Sequence, residues 1–297
     1  MTDRSEGLPL DSLWLAPGRG SAGGLAGTAE SRGGVLPPVL AARFDGELRV
    51  ELRPDRPTVI ANFVTSVDGI AAMGPSEPSA GGAEISGFSE SDRLMMALLR
   101  SLADVVIVGA GTVRVARKHE WTPRRVAPAL AESLAAWRSD LKLAPQPTTV
   151  VVTARGDVDP TQPGLSAPDV PVIVVTTRAG AARLATLPLP PNMRVEIAGE
   201  GPQVPAEALL AIVSATGARL ALCEGGPHLF GELLRARLID ELFLTIAPQV
   251  IGRDETAARL SLVEGVSFGV RGAGRWASLA SVHRAGDDLF LRYRFEP

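Results

Sequence analysis

Two short stretches of the chain carry residue types whose spacing suits the binding of phosphate. "VIVGAGTVR" leads a run of β-branched residues into Gly109, Gly111 and Thr112, and "ALCEGGPHL" leads a second apolar run into Gly225, Gly226 and Pro227. In each, a backbone without side chains meets the start of a helix, where unpaired N–H groups and the helix dipole attract an anion. Pro227 suits a first helical turn, because the N–H it lacks has no partner there anyway. Two such turns on strands of one sheet can grip a pyrophosphate from both sides. The alternative is two unrelated helix starts.

The first turn is not the G-x-G-x-x-G dinucleotide fingerprint. Arg114 stands where the third glycine belongs, and a long side chain there would hold the helix off its strand. The acidic residue that closes the next strand and takes ribose hydroxyls is also missing, since "TTVVVTARG" ends in Thr153, Ala154 and Arg155. "VVTTRAG" adds Thr177 and Arg178 after the following strand. Both clusters are fit for phosphate, which guanidinium binds through paired, charge-assisted hydrogen bonds.

The elements that must position these residues read as an α/β protein. "TVIANFVTS", "ADVVIVG", "TTVVVTA", "VPVIVVTT" and "ARLALCEGG" are strands, separated by helices over "SESDRLMMALLRSL" (with Ser89 as N-cap), "APALAESLAAWRSD", "VPAEALLAIVSATG" and "PHLFGELLRARL". That alternation predicts a mostly parallel sheet covered on both faces. "DELFLTIAPQVIG" is a further strand, and "RWASLASVHRAGDDLFLRYRFEP" reads as an antiparallel hairpin with Leu289, Leu291, Tyr293 and Phe295 on one face. Residues 1–41 are expected to be a flexible Gly/Ala/Pro-rich extension, with Trp14 and Leu15 either docked or loose, and residues 42–297 a single domain.

Composition narrows the function. The 297 residues are 45% hydrophobic with a formal net charge of −3, which gives no pull toward nucleic acid or anionic lipid. No apolar run approaches the ~20 residues that span a bilayer, and the N-terminus lacks a signal core, so a cytoplasmic protein is expected. Cys223 is the only cysteine, and His119, His228 and His283 stand far apart, so no metal site and no zinc-deaminase constellation is expected.

"NFVTSVDG", "LLRSLADVVIVGAGTVR", "CEGGPHLFGELL" and "LIDELFLTIAPQVIG", in order from Asn62 to Gly252, resemble the reductase domain of riboflavin biosynthesis, the RibD C-terminal family. The resemblance implies a dihydrofolate-reductase-like fold, a mixed sheet ending in an antiparallel hairpin, that binds NADPH without the Rossmann fingerprint. It implies that the main chain near Val64 meets the nicotinamide carboxamide, and that Gly109, Gly111 and Thr112 line the nicotinamide and pyrophosphate. Gly225, Gly226, Pro227 and Leu229 would hold the pyrophosphate, and Thr153, Ala154 and Arg155 the adenosine phosphate end. With Thr177 and Arg178 beside them, NADPH is expected over NADH. Asp68, Arg100 and Glu224 match positions facing the substrate, with Asp68 and Glu224 as catalytic candidates. Asp68 before Gly69 reads equally as a turn residue, and Arg100 as a solvated cation ending its helix. Glu224, at the end of an apolar strand, would be costly unpaired. Asp240 and Glu241 match a family motif and are read as stabilising a local turn.

The first candidate reaction is reduction of 5-amino-6-(5-phosphoribosylamino)uracil, in which hydride reaches the ribose carbon and opens the sugar to a ribityl chain. The alternatives are a dihydrofolate-type reductase and a non-catalytic NADPH-binding protein. The substrate half departs from the family: Gly82 and Glu84 replace a small polar residue and a tryptophan, and Ala116, Arg117 and Lys118 replace Asp-Asp-Pro. A free-standing form without the deaminase domain, acting as a homodimer on a small-molecule substrate, is expected.

Overall fold

The computed structural model describes residues 8–16, 30–73, 82–255, 258–269 and 274–296. In chain order they form β1 (Asp11–Leu15), β2 (Ser31–Val35), α1 (Pro38–Ala41), β3 (Glu47–Glu51), β4 (Thr58–Ser66), β5 (Ile70–Ala72), α2 (Gly82–Ile85) and α3 (Glu90–Leu102). There follow β6 (Val105–Gly109), α4 (Ala110–Val115), α5 (Pro123–Val126), α6 (Ala131–Asp140), β7 (Thr148–Thr153), β8 (Val172–Thr176), α7 (Arg178–Leu184) and β9 (Met193–Ile197). The chain ends with α8 (Ala206–Ala215), β10 (Leu220–Cys223), α9 (Pro227–Arg235), β11 (Glu241–Ala247), β12 (Leu260–Ser261), β13 (Ala277–Ala285) and β14 (Asp288–Phe295).

Ten strands make one sheet in the order β1-β13-β14-β11-β4-β10-β6-β7-β8-β9. From β11 to β9 neighbouring strands are parallel, and β14, β13 and β1 continue the sheet antiparallel. This is the mixed, mostly parallel sheet with a terminal hairpin that the sequence predicts. Alternate residues of each parallel strand enter opposite cores: Ile60 and Val106 pack with Leu98 of α3 and Trp137 of α6, while Val59 and Ile107 pack with Leu209 of α8 and Phe230 of α9. Burial on both faces explains why these strands read as continuous apolar runs.

The described residues add detail to three expectations. The face of β14 that carries Leu289, Leu291, Tyr293 and Phe295 is the less buried one; Phe290 and Arg292 are buried opposite it, with Arg292 paired to Glu241 2.6 Å away. Asp240 and Glu241 do more than hold a turn, since Asp240 accepts from Arg53, Arg56 and the Val59 backbone and Glu241 binds Arg292 and Arg294. Within 1–41, the described residues include β1 on the sheet edge, β2 paired to β3, and the buried Leu10 and Leu40; Trp14 lies in β1, paired in register with Val282. Residues 1–7 and 17–29 lie outside the described residues.

Helix α3 is fixed at both ends, which matters because it carries two groups of the site. Ser89 caps its start by accepting from the Asp92 N–H, and the buried Arg138 donates to the carbonyls of Arg100, Ser101 and Ala103 at its end.

Candidate active site

The carboxyl ends of β4, β10, β6 and β7 open into one cleft of about 1440 Å³. Drug-sized sites occupy roughly 300–1,000 Å³, so this one has room for two ligands side by side. Its floor is where the two glycine turns meet. The turn after β10 sits between β4 and β6, held by the Glu224 N–H donating to Ile107 O at 2.9 Å. A β-carbon placed on Gly109 would lie 3.8 Å from the Gly226 nitrogen, and one on Gly226 would lie 3.5 Å from Thr112 Oγ1.

Those distances test whether a dinucleotide fits. Gly109 and Gly226 have φ of −84° and −64°, open to any residue, so neither glycine is demanded by its backbone. Neither is demanded by packing, because an added β-carbon meets only ordinary contacts. What the glycines leave is space in front of bare N–H groups, at an α9 start that no side chain caps. A pyrophosphate suits that space. Gly225 differs: a β-carbon there would lie 2.6 Å from Leu229 Cδ2, so this glycine seats the helix.

Most of the expected site residues come together. Val64, Gly109, Gly111, Thr112, Thr153, Ala154, Arg155, Gly225, Gly226, Pro227 and Leu229 line the cleft, as do Arg100 and Glu224. Arg100 is 1% exposed and is no solvated helix end. Its Nε donates to Glu224 Oε1 and Oε2 at 3.1 and 3.0 Å, and its Nη2 to Oε2 at 2.6 Å. Nη1 donates to the carbonyls of Glu120 and Thr122. The carboxylate that would be costly alone is thus ion-paired.

Three candidates fall outside. Asp68 is not among the lining residues, and its carboxylate accepts from Ser66 Oγ and from the backbone N–H groups of Ile251 and Gly252. Those hydrogen bonds, Ser66 first, hold its pKa down to about 2 and fit the turn reading. Thr177 caps α7, accepting from the Gly180 N–H and donating to Ala154 O, and Arg178 pairs with Glu200; neither lines the cleft.

Other lining groups escaped the sequence reading. His119 Nε2 lies 3.0 Å from Arg100 Nη2, and because guanidinium only donates, Nε2 accepts and Nδ1 carries the proton. Burial, then Arg100 and Arg125, push this imidazole down to about 3, so it is neutral at working pH. It stands edge-on to the buried Trp121. Asp92 is 4% exposed, and burial pushes its carboxyl up to about 6. Asn62 is 7% exposed, with an Oδ1 that has no hydrogen-bond partner. Asp157 accepts from Thr153 Oγ1 at 2.7 Å and from Arg114 at 2.9 Å, putting a carboxylate near the end of β7 after all. Three of them escaped for a local reason: Asp92 reads as an N-terminal helix acid, Asn62 as one polar residue in a strand, and Asp157 comes four residues after the end of β7.

The departures from the family pattern have partial physical accounts. A β-carbon at Gly82 would lie 2.9 Å from Val64 Cγ1, so a larger residue there would push on the cleft wall. Ala116 lines the cleft, while Arg117 and Lys118 are exposed and Arg117 pairs with Asp159. Among the described residues no group of three His, Cys, Asp or Glu side chains could hold a metal, and no helix is long and apolar enough to cross a membrane.

Comparison with known proteins adds to this geometry. Residues 57–272 match the model of the RibD C-terminal domain. The chain is 31% identical over 286 residues to the riboflavin biosynthesis protein RibD of Mycobacterium tuberculosis, covering 93% of this chain and 67% of that protein. It is 28% identical over 239 residues to the 2,5-diamino-6-ribosylamino-4(3H)-pyrimidinone 5′-phosphate reductase of Methanothermobacter thermautotrophicus, covering 80% and 98%. Its fold is similar to that of a pyrimidine reductase-like protein from Corynebacterium diphtheriae, with a TM-score of 0.63 at 21% identity over 81% of this chain and 92% of that one.

Proposed function

The chain belongs to the RibD C-terminal domain family, and from that membership we propose that it is an NADPH-dependent reductase of a ribosylaminopyrimidine 5′-phosphate. The observation that carries the reading is a single cleft in which two glycine turns face each other beside a buried, ion-paired wall. Val64, Gly109, Gly111 and Thr112 would take the nicotinamide and pyrophosphate, and Gly225, Gly226, Pro227 and Leu229 the pyrophosphate from the other side. Thr153, Ala154 and Arg155 would take the adenosine phosphate end.

When bound, NADPH supplies a hydride to the ribose carbon that carries the pyrimidine nitrogen. The protein contributes alignment and fixed charge. Arg100 and Glu224 hold one another in place, so the polar wall facing the substrate needs no reorganisation during reaction. Neutral His119 supports it, accepting from Arg100 and keeping its own Nδ1–H. The uracil form of the substrate is the candidate drawn from the family. The 2-amino form, named for the archaeal relative, shares the same reacting ribose.

Mixing the protein with NADPH and each pyrimidine while following nicotinamide absorbance tests the reading. Oxidation of NADPH with at least one of them is expected. Glu224→Gln should lower turnover by about a hundredfold and leave NADPH affinity within about twofold, as for a group that acts on the reacting substrate. Absence of oxidation with both pyrimidines overturns the proposal. From the same membership we infer a homodimer acting in the cytoplasm.

A further inference from the structure

Two acceptor groups in the cleft are left over once the ion-paired wall and the glycine turns are accounted for. Asp92, in the first turn of α3, is almost wholly buried yet lines the cleft. Thr245 of β11 gives it a side-chain hydrogen bond, and a carboxylate offers about four lone-pair sites. Of the cations around it, Arg100 is engaged with Glu224 and Arg93 with Glu90, while Arg43 also lines the cleft and has a buried Nε without a partner. The other charged groups that it feels are carboxylates, Asp288 of β14 and Glu224 after β10. Asn62 of β4 lines the same cleft and carries a buried Oδ1 without a partner. Thr245 pairs in register with Val64, so Asp92 is tethered to the strand pair that reaches the candidate nicotinamide contact.

The Asp92 carboxylate has acceptor capacity beyond its bond from Thr245, and the buried Asn62 Oδ1 is an unmatched acceptor, so the ligand edge that meets these two groups brings donors. The two candidate rings differ at this edge. A 2-amino-4(3H)-pyrimidinone presents the ring N3–H and the exocyclic NH₂ side by side, two parallel donors spaced for the two oxygens of one carboxylate. A uracil presents N3–H between two carbonyls, so a carboxylate that accepts from the N–H sets its second oxygen against a carbonyl oxygen.

We propose that Asp92, assisted by Asn62, reads the amino edge of the ring and makes the chain selective for the 2-aminopyrimidinone substrate over the uracil. This rests on the reductase reading above and names the ring that it takes. It also orders the chemistry: hydrolytic removal of the ring amino group must follow this reduction.

The experiment compares kcat/KM for 2,5-diamino-6-ribosylamino-4(3H)-pyrimidinone 5′-phosphate and its 5-aminouracil counterpart, with NADPH, in the wild type and in Asp92→Asn. The same two compounds are titrated calorimetrically in the absence of turnover. The wild type should favour the 2-amino ring by about ten- to a hundredfold, the range of a charge-assisted hydrogen bond. Asp92→Asn offers one acceptor and one donor, so it should lose that preference or favour the uracil. Equal use of the rings by the wild type, a preference for uracil, or an equal loss on both rings in Asp92→Asn overturns the inference and leaves the reductase reading standing. If neither ring is reduced but the 2-amino ring binds more tightly, and Asp92→Asn abolishes the difference, the reductase reading falls and the inference stands only as recognition of the ring by Asp92. If neither binds, both fall.

Discussion

At the scale of single residues, the site sets one buried carboxylate that is paired against one that is not. Glu224 is legible from the sequence because a carboxylate ending a buried strand demands a partner, and Arg100 supplies it. Asp92 is not legible, because an acid in the first turn of a helix already has a sufficient local reason to be there. Its environment has a measurable consequence. Burial moves its pKa from 3.8 up to about 6, so between those values the folded chain keeps a proton that the unfolded chain has released. The contribution of Asp92 to stability therefore falls as pH rises through that window and stays lowered above it. Asp92→Asn removes the penalty. Urea unfolding should find this variant about 2–3 kcal/mol more stable than the wild type near neutral pH. Near pH 4 the two should differ by no more than about 1 kcal/mol. An equal difference at both pH values would show that the carboxyl does not titrate in the folded chain as its burial requires.

At the scale of elements, the parallel strands announce themselves as β-branched runs ended by glycine, whereas β9, half-buried at the sheet edge, is too polar a run to stand out. Which glycine serves a ligand and which serves packing is visible only in three dimensions. Gly226→Val should stay within about 1 kcal/mol of wild-type stability, since its backbone is ordinary and its surroundings open. It should bind NADPH at least about tenfold more weakly. Gly225→Val should instead lose about 1–3 kcal/mol as the new side chain collides with Leu229. Melting curves and cofactor titrations separate the two outcomes; wild-type NADPH affinity in Gly226→Val would remove that turn from the cofactor site. The strand ends β7 and β8 divide in the same way. Arg155 reaches the cleft with its side chain 80% exposed, and Arg178 is turned away onto Glu200. NADPH should bind at least about tenfold more tightly than NADH. Arg155→Ala should narrow that preference and Arg178→Ala leave it unchanged, at one salt concentration. A preference that survives Arg155→Ala would shift the phosphate contact to Arg114, the other arginine on Asp157.

At the scale of the whole molecule, the terminal hairpin and the mostly parallel character of the sheet were open to sequence reasoning, whereas its strand order was not. Strands β6, β7, β8 and β9 pair with their neighbours in the chain, while β10 is inserted between β4 and β6 and β1 reaches β13 across nearly the entire chain, contacts with no local signature. Composition hides β1 further, because a few anchoring residues are diluted by glycine, alanine and proline around them. Leu10 is such an anchor: it is 0% exposed, its N–H donates to Arg43 O, and its carbonyl accepts from the Asp45 N–H. Two residues earlier, Leu8 O accepts from Ser91 Oγ at 2.9 Å, and Ser91 adjoins Asp92 at the start of α3. The N-terminal segment is therefore mechanically connected to the wall of the cleft that Asp92 lines. Leu10→Ala should destabilise the protein by about 2–5 kcal/mol, as a cavity in a packed core does. Leu13→Ala, exposed within β1 three residues later, should change stability by no more than about 0.5 kcal/mol. Hydrogen exchange should also quicken at the first turn of α3 in Leu10→Ala and not in Leu13→Ala, because only the first loosens the segment that holds Ser91. If both variants match the wild type in stability and exchange, β1 is dispensable and the body of the protein begins after it.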